Sequence, residues 1–164
     1  MKPCGPGPLS SAPLVAARGA HRAKEPRPMT ELTLHAPSFA AATTGALLVL
    51  KMVLMILVGR QRGATQTSLG DGDVDGPLYR AIRSHGNLAE NAGLMMVGLA
   101  LLEMLSGSTT AVQGLCGLFL VARLAHPLGL SGGIMALRAL GALGTLIVGI
   151  GTGALLIYAT LFSA

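Results

Sequence analysis

Two apolar runs restrict this chain more than anything else in it. Residues 36–59, APSFAAATTGALLVLKMVLMILVG, carry one charge, Lys51, and residues 139–162, ALGALGTLIVGIGTGALLIYATLF, carry none. A hydrocarbon core of ~30 Å takes roughly 20 helical residues to cross, so each run is long enough to span. Inside lipid the backbone must satisfy its own hydrogen bonds, which leaves helices or closed barrels, and the unbroken apolar character of both runs selects helices. Composition agrees: 12% of the residues are charged and 51% are hydrophobic, against about 25% charged in soluble domains.

Two further helices fill the interval. The first is expected over about 34–60, ending at Arg60-Gln61-Arg62-Gly63, and a polar loop rich in Gly, Ser, Thr and Asp follows to Pro77. The second is expected over about 78–105. Its charge-free part, 92–102, is too short to span alone, so Tyr79 to Asn91 belong to the same helix. Ser106-Gly107-Ser108 reads as a tight turn, the third helix as about 109–130, GLSGG as a break, and the fourth helix as about 134–162. The fold class is therefore an all-α, integral membrane four-helix bundle. Gly149 and Gly153 stand in the GxxxG spacing that lets helices approach closely in lipid.

A net charge of +5 invites a nucleic-acid partner, but its location removes that reading. Lys2, Arg18, Arg22, Lys24 and Arg27 face a single acid, Glu25, within residues 1–28, and six of the nine prolines lie in the same segment. Residues 1–33 read as a basic, Pro-rich disordered tail without the apolar core of a secretory signal. Met29 is expected to be the natural start. Arg60, Arg62, Arg80, Arg83 and Arg138 gather at one end of the expected bundle and the turn at 106–110 has no cation, so the positive-inside rule makes the arginine end cytoplasmic.

Chemistry concentrates in LGDGDVDGPLYRAIRSHGNLAEN, residues 69–91. Its acidic opening starts like a calcium loop, but the twelfth position, where a bidentate Glu is needed, is Ile82. No metal site is expected there, nor from the two separated cysteines, Cys4 and Cys116. The second half is different. At 100° per residue and with Arg80 at zero, Arg83 falls at about −60°, Asn87 at about −20°, Glu90 at about −80° and Asn91 at about +20°. A polar face of this kind entering a membrane must meet other helices or water, because a charge at depth costs at least ~2.5 kcal/mol. Rise per residue brings Glu90, Lys51 and Arg123 to similar depths, roughly 10–15 Å in from the arginine end. Glu90 is expected to pair with Arg123, with Lys51 as a competing partner. Glu103, near the far end of the second helix, reads as an interfacial charge, and Tyr158 as an interfacial anchor.

These residues resemble a known family. RAIRSHGNLAE, Arg80 to Glu90, is similar to the second-helix signature of the MAPEG superfamily, the membrane-associated proteins in eicosanoid and glutathione metabolism, and ARLAHPLGL, Ala122 to Leu130, is similar to its third-helix segment. The resemblance covers residues 34–162 and is to the short bacterial members. It implies a homotrimer with glutathione at each subunit interface, held by Arg80, Arg83, Asn87 and Glu90, with Arg123 and His126 matching the third-helix arginine and histidine. Arg60 or Arg62 would supply the first-helix contact and Arg138 the fourth-helix one, and Arg138 and Arg60 are the catalytic candidates for stabilising a thiolate. Two departures bear on catalysis. Gly86 stands where the microsomal enzymes have a basic residue, and Leu130 where many members have an aromatic hydroxyl residue.

The resemblance implies a protein of the bacterial inner membrane that binds glutathione, with transferase or peroxidase activity on lipophilic electrophiles from the bilayer. Glutathione is the co-substrate, no metal is required, and the partners are membrane lipid, further copies of the chain and a small lipophilic substrate. Two other classes compete. In one, the polar stripe is structural and the protein is a non-catalytic assembly or lipid-binding module. In the other, Lys51, Glu90 and Arg123 form a transport relay, which the lack of paired inverted repeats disfavours.

Overall fold

The computed structural model describes residues 34–162. The expectations for residues 1–33, a disordered tail and a start at Met29, lie outside the described residues. Four helices follow one another: α1 (Ser38–Thr65), α2 (Pro77–Ser106), α3 (Thr110–Gly132) and α4 (Met135–Phe162). All four are long and apolar enough to cross a membrane.

Local chemistry sets the helix ends. Helix α1 runs past the expected stop at Arg60 and closes only at Gln66, which adopts a left-handed conformation (φ 53°). A pair of arginines can mark where lipid ends without ending the helix, since Arg is itself a good helix former. Pro77 takes the first position of α2, where its missing N–H is no loss. Thr109 caps α3, its hydroxyl accepting from the Val112 N–H at 3.4 Å. Gly133, left-handed at φ 68°, ends that helix with its N–H on the Gly129 carbonyl, and two residues suffice to reverse the chain into α4.

The core runs along the middle of the bundle, with Phe119 fully buried among Leu47, Leu54, Leu88, Leu99 and Val148. Cys116 is buried there as well, as a small apolar side chain. Helices α3 and α4 approach most closely. A Cβ on Gly141 would stand 2.7 Å from the His126 Cβ and 2.9 Å from the Ala122 carbonyl oxygen, so only glycine fits at that crossing. The expected Gly149 and Gly153 pair divides: Gly149 receives the Met95 side chain, whereas Gly153 has open space where a Cβ would be. Helix α1 packs on α2 and α3 and does not touch α4.

Candidate functional site

The polar face of α2 separates into three environments. Its centre is an internal knot. Arg123, 2% exposed, donates to the Asn87 Oδ1 at 2.8 Å and to the Gly141 carbonyl at 3.1 Å, and also bonds the Thr145 hydroxyl. That hydroxyl in turn donates to the Gly141 carbonyl at 2.7 Å. The guanidinium carbon lies 5.6 Å from the centre of the Phe119 ring, a distance at which cation and π-face attract. One arginine thus joins α2, α3 and α4. Asn91 adds a turn-to-turn bond on α2, donating to the Asn87 carbonyl at 2.8 Å.

Glu90 is not a partner of Arg123, which corrects the expected ion pair. Asn87 lies about 60° nearer the α3 side of the helix than Glu90, and its amide oxygen reaches the guanidinium first. The Glu90 carboxylate instead points back along its own helix: its Oε1 lies 3.8 Å from where a Cβ on Gly86 would stand. Lys51, the competing partner, is half-buried on α1.

The second environment is an exposed charged face. Arg83 and Glu90 are both exposed, as are Arg60 on α1 and Arg138 on α4. Glu90 lies roughly 20 Å along a 30-residue helix, at a depth where an uncovered carboxylate in lipid is costly. Between the two first-helix arginines the structure discriminates. Arg62 is committed to the following loop, donating to the carbonyls of Thr67, Ser68 and Gly70 at 3.4, 3.3 and 3.1 Å, while Arg60 remains exposed.

The third environment takes Arg80 away from the other candidates. Arg80 is half-buried and lines a cavity of about 630 Å³ between α1, α2 and α3 together with Asp75, Ser84 and Leu54. Of the four residues expected on glutathione, then, Arg83 and Glu90 share an exposed face, Asn87 is held by Arg123, and Arg80 faces an intrachain cleft. His126 packs its Cβ against Gly141 and its Nδ1 is buried without a hydrogen-bond partner, as is the His85 Nε2.

Glu103 is a residue that sequence reasoning misread. Expected at an interface with solvent, it is wholly buried. Its carboxylate accepts the Phe39 and Ala40 N–H groups at 3.0 and 2.8 Å, the Ser108 hydroxyl at 2.6 Å and the Ser38 hydroxyl at 3.4 Å. Helix α1 has no side-chain cap of its own, and the carboxylate of α2 takes that role, a placement the helix dipole also favours. The signal was present as an uncapped Ala36-Pro37-Ser38 start and a glutamate beside a Ser-Gly-Ser turn.

At the far end of α4, Tyr158 is exposed and stacks on Phe162 at 5.5 Å, a position that suits an interfacial anchor.

A family model described as the MAPEG family matches residues 40–158, most of the chain and all four helices. The chain belongs to the MAPEG family. Four spanning helices and this membership together make it an integral membrane protein with the MAPEG four-helix fold. Searches of curated proteins and of solved structures return no match.

Proposed function

We propose that this MAPEG protein binds glutathione at a face built around Arg83 and Glu90 and conjugates it to lipophilic electrophiles, or uses it to reduce lipid hydroperoxides. Glu90 carries the reading. It is a carboxylate exposed on the chain's surface at membrane depth, and no cation among the described residues pairs with it. Glutathione offers an ammonium for Glu90 and two carboxylates for arginines in fork geometry. Asn87 lies between them along the helix but is turned about 40–60° toward α3, where Arg123 holds its Oδ1 at 2.8 Å, and it keeps an amide N–H₂ to donate.

The catalytic candidates Arg138 and Arg60 lie on α4 and α1, helices that do not meet within one chain. A second copy whose α1 lies against α4 would bring them to one site, and this supports a homotrimer with glutathione between subunits. A guanidinium beside the sulfur favours thiolate over thiol. In conjugation the thiolate sulfur forms a bond to the electrophilic carbon, the leaving group departs with its electron pair, and the thiol proton passes to water. The arginine end of the bundle would face the cytoplasm of a bacterial cell, where glutathione is available.

A second reading has its own observation. Arg123 bonds Asn87 and Thr145 within the chain, so part of the polar stripe is structural, as a non-catalytic assembly or lipid-binding module requires. Conjugation of glutathione to a lipophilic aryl halide separates the two. The transferase reading expects activity in the wild type, lost by about tenfold or more in Arg83→Ala, as for one charge-assisted contact, and kept in Thr160→Ala. Equal activity in Arg83→Ala would remove that reading.

A further inference from the structure

The cleft lined by Arg80 is separate from the Arg83 and Glu90 face, and nothing in glutathione chemistry explains it. Its floor is Leu54 and Ser84, both buried, and its rim includes Val53 and Leu128, 47% and 61% exposed. It is therefore an apolar trough opening sideways through exposed apolar residues. Along α1 it extends from Leu50 to Gln61, roughly 16 Å at the helical rise. That is about half of a ~30 Å hydrocarbon core, the depth of one leaflet. Its volume of about 630 Å³ lies within the ~300–1,000 Å³ range of small-molecule sites.

The polar mouth carries both signs of charge. Arg80 and Asp75 line it, with Pro77, the first residue of α2, between them. Helix α2 begins there without a side-chain cap, so its positive dipole end lies beside Arg80 and adds to the preference of the mouth for an anion. Arg80 and Asp75 do not form an ion pair with each other among the described residues, so both charges remain available to a ligand. An occupant that matches the whole lining needs an apolar tail one leaflet long, an anion for Arg80 and the α2 N-terminus, and a hydrogen-bonding cation for Asp75.

We propose that the cleft seats one acyl chain of a phosphoethanolamine lipid, with the phosphate on Arg80 and the N-terminus of α2 and the primary ammonium on Asp75. A choline headgroup carries no N–H to donate to Asp75, and a glycerol headgroup carries no cation. The lipid wedges α1 against α3 at the arginine end of the bundle, and this assignment does not depend on glutathione binding.

The test uses the full chain reconstituted in vesicles containing ethanolamine, choline or glycerol phospholipids, each with the same photoreactive acyl chain, and maps the labelled peptides by mass spectrometry. The ethanolamine lipid should label residues 50–61 and 124–131 about tenfold more than the glycerol lipid, the worth of one charge-assisted contact. Asp75→Asn should abolish that preference, and Arg80→Gln should lower cleft labelling by both lipids about tenfold. Ala81→Phe, which fills the trough, should remove cleft labelling while labelling at Leu143 and Ile147 on the open face of α4 persists, showing that the protein is still folded in the bilayer. Equal cleft labelling by all three headgroups would overturn the proposal, as would cleft labelling unchanged in Ala81→Phe.

Discussion

Helix α2 carries two glutamates whose surroundings are opposite. Glu103 is enclosed and accepts four hydrogen bonds from α1 and the turn before α3. Glu90, closer to the arginine end, is exposed and turned back over Gly86. One charge has been answered completely by the chain, and its role is to hold α1 in place. The other has no partner among the described residues, at a depth where lipid cannot solvate it. In a membrane bundle an unanswered charge is better evidence for function than a buried one, because the buried one already has a structural reason to exist.

The contrast can be broken by mutation. Glu103→Ala leaves two backbone N–H groups and the Ser108 hydroxyl without an acceptor in a closed site, so it should cost about 3 kcal/mol, read as a loss of resistance to unfolding in mixed detergent. Gly141→Ala should cost about 2 kcal/mol by forcing α3 and α4 apart, whereas Gly153→Ala, with open space around it, should change stability by under about 0.5 kcal/mol. Arg123→Met should be milder than its burial suggests, about 1 kcal/mol, because Thr145 keeps its bond to Gly141 and membrane hydrogen bonds are individually modest. Glu90→Gln should leave stability within about 0.5 kcal/mol, since no partner among the described residues is lost. A Glu90→Gln variant as unstable as Glu103→Ala would mean that both glutamates are structural.

The fold was readable because its determinants are local. Apolar length located the helices, and Pro77, the Ser-Gly-Ser turn and Gly133 marked three of their ends to within a residue or two. The extension of α1 to Thr65 was not readable from charge, since Arg60 and Arg62 mark a polar boundary while the left-handed Gln66 marks the helix end. The charged face of α2 was visible as a stripe, but its partners were not. Choosing Asn87 over Glu90 for Arg123 depends on the relative rotation of α2 and α3, which helix periodicity in a single chain does not fix. Glu103 failed for a related reason: a glutamate at a helix end looks the same in sequence whether it meets water or caps another helix. Arg80 was grouped with Arg83 by spacing, and packing separated them, since the two lie about 60° apart and the α1 to α3 cleft takes only the first.

Calorimetric titration of glutathione into the detergent-purified protein, beside Arg83→Ala and Glu90→Gln, addresses the exposed face itself. Saturable binding in the wild type, weakened about tenfold or more in each variant at unchanged stability, is the expected result. No heat of binding at millimolar glutathione, or binding that neither substitution alters, would contradict a thiol site on α2 and leave the Arg83 and Glu90 face to contacts between copies of the chain.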